Sequence, residues 1–154
     1  MSDSRMYPVG SNYPKSRVIG GTVVDFGIAK SQRTRVTLAQ MNAGFTLLPA
    51  RAGVRWRLVD AVVVAIGGNA TTGTSVNIIG TRAGSAVQLL VAAIAALTRS
   101  ALVRIGAANA VILADGASFT QLDANTAVTC ITVGTAMTVS TNFDVILTYV
   151  ADQA

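Results

Sequence analysis

The chain has 154 residues, enough for one domain with a sizeable core. Hydrophobic residues make up 51% of it and charged residues only 12%, and every acidic residue is Asp, which disfavours helices with Glu- and Lys-rich exposed faces. The absence of His removes the commonest general base and metal ligand and argues against an enzyme.

Residues 1–31 are predicted to form an extended N-terminal arm. Tyr7 and Tyr13 each precede a proline, and an X-Pro step biases the backbone toward extended conformations. Lys15 and Arg17 make the segment basic, and no apolar stretch of a secretory signal begins it. The run 17–26 could pair as a strand, with a neighbouring molecule as one option; a free tail is the alternative.

Residues 32–154 are predicted to form one β-sandwich domain, because short alternating runs are separated here by Gly, Asn and Asp. Arg33–Leu38 reads as a half-buried strand. Ala39–Gly44 is predicted to be a tight turn, and Phe45–Leu48 a strand that Pro49 closes.

Val54–Ile66 is the clearest strand, with one face polar at its start and apolar at its end. Alternation places Trp56 in the core, opposite Arg55 and Arg57. Together with Arg51, these arginines could form a rim that meets an acidic protein surface. A nucleic-acid groove is disfavoured by the low aromatic content, and solvated charge is the third alternative.

The middle of the chain is less clear. Ser75–Ile79 is predicted to be a strand and Gly80–Ser85 a turn. Ala86–Val103 fits either a helix or two strands with a turn near Thr98–Ser100, and its strand-like neighbours favour strands. Its apolar part is too short for a membrane span of about 20 residues.

Several short strands are predicted in the last third, and Asp115-Gly116 is a turn signal. About eight to ten short strands in all indicate an all-β sandwich or barrel. In the last one Phe143, Val145, Leu147 and Tyr149 share a face. The strands predicted here are Ala110–Leu113, Ser118–Leu122, Thr126–Val133, Ala136–Val139 and Asn142–Val150.

Reactive chemistry is sparse. Cys130 has no partner for an internal disulfide and is expected to be a buried, inert thiol. Asp115 and Asp123 form the only eligible carboxylate pair, and both are better explained as turn residues. The glycine-rich stretch 67–73 lacks the Lys of a phosphate loop. No catalytic residue, cofactor or metal is therefore predicted.

Three runs resemble the head-decoration, or cement, proteins of tailed bacteriophages. They are Val36–Pro49 (VTLAQMNAGFTLLP), Gly53–Gly68 (GVRWRLVDAVVVAIGG) and Asp144–Tyr149 (DVILTY), and the resemblance covers roughly residues 33–150. It implies a jelly-roll domain, a homo-dimer or homo-trimer, on the outer surface of an icosahedral capsid in the virion, after assembly in the host cytoplasm. The implied partner is the major capsid protein, whose neighbouring subunits it would clamp.

The resemblance assigns no contact residue. The basic arm and the arginine rim suggest Tyr7, Tyr13, Lys15, Arg17, Arg51, Arg55 and Arg57 as capsid contacts. A receptor- or carbohydrate-binding β-module, such as a head-fibre domain, is the alternative function. No membrane contact is expected, and direct nucleic-acid contact is disfavoured.

Overall fold

The computed structural model describes residues 16–19, 21–105, 110–111, 121–140 and 142–154, and within them the fold is all-β, as predicted. One helix, α1 (Leu38–Ala43), and a 3-10 turn, Ile94–Ala96, interrupt the strands. The strands are β1 (Ser16–Ile19), β2 (Thr22–Asp25), β3 (Ala29–Thr37), β4 (Phe45–Leu48), β5 (Val54–Ile66), β6 (Ser75–Arg82), β7 (Ser85–Ala93), β8 (Leu102–Arg104), β9 (Ala110–Val111), β10 (Val128–Val133) and β11 (Asn142–Gln153).

The strands form two main sheets and one hairpin. The four-stranded sheet has the order β3-β11-β5-β8, the five-stranded sheet the order β4-β10-β6-β7-β9, and β1 pairs only with β2. All of these pairs are antiparallel. The pairing is nested about the turn between β6 and β7: β5 pairs with β8, β4 with β10 and β3 with β11.

The core lies between the two main sheets. The four-stranded sheet contributes Val63 and Phe143, and the five-stranded sheet contributes Ile78, Leu90 and Cys130; all five belong to one buried cluster. Each fully buried large apolar side chain contributes about 1.5–3 kcal/mol relative to leaving it in water. Burial of side chains from both sheets therefore joins the two layers into a sandwich.

The predicted tight turn at Ala39–Gly44 is wrong, because helix α1 occupies this segment. The Thr37 hydroxyl accepts a hydrogen bond from the Gln40 backbone N–H (3.2 Å), and the Gln40 side-chain oxygen accepts one from the Thr37 N–H (2.9 Å). This reciprocal pair is a capping box, which satisfies donors that a helix start leaves free. Gly44, at φ 89°, ends the helix.

The predicted strand Val54–Ile66 is confirmed as β5, and its change of pattern has a local cause. Leu58 pairs with Tyr149 and Asp60 with Thr148, so Val59 has no partner on β11 and forms a β-bulge. Before the bulge, even-numbered residues such as Trp56 are buried, and after it odd-numbered residues such as Val63 are buried. The bulge thus exchanges the two faces of the strand.

The ambiguous stretch 86–103 forms strands β7 and β8, joined through the 3-10 turn, so the favoured interpretation is confirmed. The preceding turn is shorter than predicted. Strand β6 continues to Arg82, and only Ala83 and Gly84 separate it from β7.

The predicted strand Ala136–Val139 is wrong, because this segment follows an irregular path between β10 and β11. Its backbone is held by a side chain. The Asn42 amide donates to the Met137 carbonyl and accepts from the Met137 N–H, both at 3.0 Å. Asn42 therefore supplies the two hydrogen bonds that a neighbouring strand would provide.

The C-terminal strand predictions are confirmed as β10 and β11, with slightly different ends. Strand β9 covers the first two residues of the predicted strand 110–113, and the other two lie outside the described residues. The Asp115-Gly116 turn and most of the predicted strand 118–122 lie outside the described residues.

Part of the predicted N-terminal arm packs on the sandwich. Hairpin β1–β2 lies within it, and Val24 and Phe26 are buried. Gly27 N–H donates to the Ala151 carbonyl on β11 (2.9 Å), and β3 begins at Ala29. The division into an arm, 1–31, and a domain, 32–154, remains a prediction.

Candidate interaction surface

Trp56 is a core residue, as alternation predicted, with 4% of its surface exposed. Its indole N–H donates to the Pro49 carbonyl (3.1 Å), and its ring meets that of Tyr149 edge-on at 5.5 Å between centroids. The polar atom of the indole is thereby satisfied. Trp56 is not available as an exposed stacking platform for a base or a sugar.

The predicted arginine rim is divided between two sides of β5. Arg55 and Arg57 alternate with Trp56 and therefore project from the opposite face. Arg51, which precedes the strand, lines a cavity together with Trp56. The three arginines do not form a single cluster.

Arg57 and Arg55 belong to a polar network on the outer face. Arg57 forms an ion pair with Asp152 (3.2 Å), and the Gln121 amide donates to the same carboxylate (3.0 Å). Arg55 donates to the Gln121 oxygen at 3.4 Å, while its Nε is buried with no partner in the described part of the chain. The charge of Arg57 is thus already compensated within the protein.

Of the contact residues predicted on the arm, only Arg17 can be located. It lies exposed on β1, opposite Val24 of β2. Tyr7, Tyr13 and Lys15 lie outside the described residues. The assignment of all seven residues as capsid contacts remains a prediction.

A second charged group, on the outer face of the four-stranded sheet, was missed by sequence reasoning. Asp144 of β11 pairs with Arg33 and Arg35 of β3, and Arg35 Nε lies 2.9 Å from the carboxylate. These hydrogen bonds, that from Arg35 above all, lower the pKa of Asp144 to about 2. Toward the opposite edge of the same sheet, Arg104 of β8 pairs with Asp60 of β5 at 2.6 Å. Only the strand register brings these residues together, and the sequence does not display it.

Apolar side chains lie between these two charged groups. These are Val62 and Ile146, which are half-buried, whereas Leu102, beside Val64 on the edge strand β8, is 70% exposed. A shallow depression near the bulge is lined by Arg57, Leu58, Val59 and Val150. This face therefore presents mixed apolar and charged surface to solvent.

The described arginines outnumber the groups that could neutralise them. The side chains of Arg17, Arg51, Arg82 and Arg99 form no hydrogen bond or ion pair in the described ranges. By contrast, Asp25, Asp60, Asp144 and Asp152 are all ion-paired. Asp123 accepts hydrogen bonds from the Ala83 and Gly84 N–H groups (3.0 and 2.8 Å), in the turn between β6 and β7. The turn predicted at Asp123 itself is formed by the next two residues, Ala124 and Asn125. The surplus positive charge favours an anionic partner.

The groups expected to be unreactive show no sign of activation. Cys130 is fully buried, and desolvation raises the pKa of its thiol to about 12, so the reactive thiolate is suppressed. Backbone hydrogen bonds lower the pKa of Asp123, the opposite of what a general acid needs. No group of three or more Cys or Asp able to hold a metal occurs among the residues that can be placed. In the same residues, no helix is long and apolar enough to span a bilayer.

Comparisons with known proteins identify no family for this chain. No protein-family model matches the chain, and no curated protein matches it. A solved structure described as the capsid of Ralstonia phage GP4 is similar over 84% of this chain and 88% of that one, with 18% sequence identity and a TM-score of 0.46. A similarity at that level carries no argument about fold or function.

Proposed function

We propose that this chain is a structural protein of a phage virion, a jelly-roll cement protein that binds the outer surface of an icosahedral capsid and clamps neighbouring major capsid subunits. The observation that carries the proposal is the nested strand order of the sandwich, β3-β11-β5-β8 facing β4-β10-β6-β7. This nested order supports a jelly roll, an architecture of viral capsid and lectin domains. The residue runs that resemble phage decoration proteins favour the capsid role over the lectin role.

The physical properties of the sandwich suit a clamp. A close-packed two-layer core is stiff and transmits load. The long edge strand β3 carries Lys30, Arg33 and Arg35, and charges on an edge strand oppose runaway strand pairing. The surplus of unpaired arginines supports attraction to an acidic face of a capsid subunit.

The carbohydrate-binding alternative finds less support. Lectin-type sites use exposed aromatic rings, whereas Trp56 is buried and Tyr149 is half-buried against it. A fold shared by lectins and capsid proteins does not itself decide the function.

The test is to mix purified protein with expanded phage shells that lack it. We expect co-sedimentation and a higher melting temperature of the decorated shells. Absence of binding, or binding without a gain in shell stability, would contradict the proposal, and a specific signal on a glycan array would favour the alternative. Mass measurement under native conditions distinguishes a homo-dimer from a homo-trimer, the two oligomers that the resemblance implies.

A further inference from the structure

A small cavity lies between hairpin β1–β2 and the sheet that contains β5 and β11. Its volume is about 160 Å³. At roughly 30 Å³ per molecule that is room for about five waters, well below the roughly 300–1,000 Å³ typical of ligand and cofactor sites. The cavity fits the end of one side chain better than a cofactor. Its walls include Val23, Asp25, Lys30, Arg51, Trp56 and Tyr149.

The charges on the cavity wall leave one cation uncompensated. Lys30 and Asp25 form an ion pair at 2.7 Å, so they neutralise each other. The Arg51 side chain has neither a hydrogen bond nor an ion pair within the described residues. One uncompensated cation balances one negative charge, and the cavity therefore favours a single negative group that reaches Arg51.

The aromatic side of the cavity strengthens such a contact. The Trp56 N–H is already bonded to the Pro49 carbonyl, and Tyr149 holds the indole edge-on. This wall consequently offers no free indole donor. Arg51 is half-buried, and the attraction between a guanidinium and an anion is stronger at a partly buried site than in bulk water. A guanidinium also matches the planar, two-oxygen geometry of a carboxylate.

We infer that this cavity receives the carboxylate of an Asp or Glu side chain presented by a protein partner, with Arg51 as its counter-ion. The inference relies on the proposed function only for the identity of that partner, a major capsid subunit. The occupancy of the cavity can be tested without any capsid.

Trp56 provides the readout, because the chain contains one tryptophan and it lines the cavity. The probe is the capped tripeptide acetyl-Ala-Glu-Ala-amide, with acetyl-Ala-Gln-Ala-amide as its uncharged match. We expect a saturable change in Trp56 emission with the Glu peptide alone, at millimolar concentrations. Arg51→Gln should abolish it, and since the Arg51 side chain forms no hydrogen bond or ion pair within the described residues, the variant should fold.

Arg99→Gln is the matched control, because its side chain also forms no hydrogen bond or ion pair within the described part of the chain but does not line the cavity. This variant should respond like the wild type. Equal responses to the two peptides, or an unchanged response in Arg51→Gln, would overturn the inference. A duplex DNA oligonucleotide that acted through Arg51 at lower concentration than the Glu peptide would also overturn it, in favour of nucleic-acid binding.

The second arm uses expanded shells. We expect Arg51→Gln to bind them about tenfold more weakly than the wild type, and Arg99→Gln to bind them equally well. If wild type and Arg51→Gln bound shells alike, the inference would be wrong and the proposed function would stand. If the wild type bound no shell, the proposed function would fail, and the peptide titration would still decide the role of the cavity.

Discussion

Asp144 shows how much one residue can depend on its strand neighbours. Its side chain is 6% exposed and is covered by two arginines that are themselves more than half exposed. A buried carboxylate is stable only when its charge is compensated, so the pair Arg33 and Arg35 permits Asp144 to lie there. Neither arginine, on sequence grounds alone, differs from a solvated surface charge.

The pKa of Asp144 predicts an acid-dependent loss of stability. The folded value of about 2 lies below the ordinary value of 3.8, so the stabilisation is present above about pH 4 and is lost as the pH falls toward 2. Because the arginines are solvent-screened, we expect a loss of about 1 kcal/mol. Urea unfolding between pH 5 and 2 measures it. Asp144→Asn should be less stable at neutral pH and show a shallower acid slope; identical slopes would refute the assignment.

Gly73 and Gly84 allow backbone strain to be separated from crowding. Both have positive φ, 76° and 74°, but a Cβ on Gly73 would lie 2.7 Å from the Thr135 carbonyl oxygen, whereas one on Gly84 meets nothing within 4 Å. Gly84→Ala should cost about 1–2 kcal/mol from the left-handed backbone alone. Gly73→Ala should cost at least about 1 kcal/mol more. Equal losses in chemical denaturation would show that the loop yields to the added methyl.

At the scale of elements, local pattern explains what could and could not be predicted. Strand β5 was predictable because its alternation is a property of neighbouring residues. The helix at Leu38–Ala43 also has a local signal, Thr37 and Gln40, but the run Asn42-Ala-Gly44 is equally typical of a turn. The sequence does not reveal the bulge at Val59. A strand face that is polar at its start and apolar at its end is equally expected of a strand that runs from an exposed rim into a covered centre.

Because of the bulge, we expect deletion of Val59 to destabilise the fold far more than substitution of its side chain. Its side chain is 44% exposed, so Val59→Thr should change stability by less than about 0.5 kcal/mol. Deleting the residue would restore simple alternation and force either Arg55 and Arg57 or the odd-numbered residues after the bulge onto the wrong face. We expect the deletion variant not to fold, as judged by circular dichroism. A folded, cooperative deletion variant would mean that the bulge can move along the strand.

At the scale of the whole molecule, pairing order is the information that no local pattern contains. Strands β3 and β11 are neighbours in one sheet although most of the chain separates them in sequence. Their pairing creates the Asp144 cluster. The cavity likewise combines hairpin, β5 and β11, so Lys30 and Tyr149 could not be assigned to one site with Arg51 beforehand.

The position of β11 has a consequence for biosynthesis. It is an inner strand, with β3 on one side and β5 on the other, although it is made after every other strand described. When the ribosome has synthesised the chain up to β10, strands β3 and β5 are present but β11, which lies between them in the sheet, is not yet made. The 20 residues that follow β10 up to the end of β11 take roughly 1–4 seconds to add at typical elongation rates of about 5–20 residues per second. During this interval the partly made chain must remain soluble with that gap open.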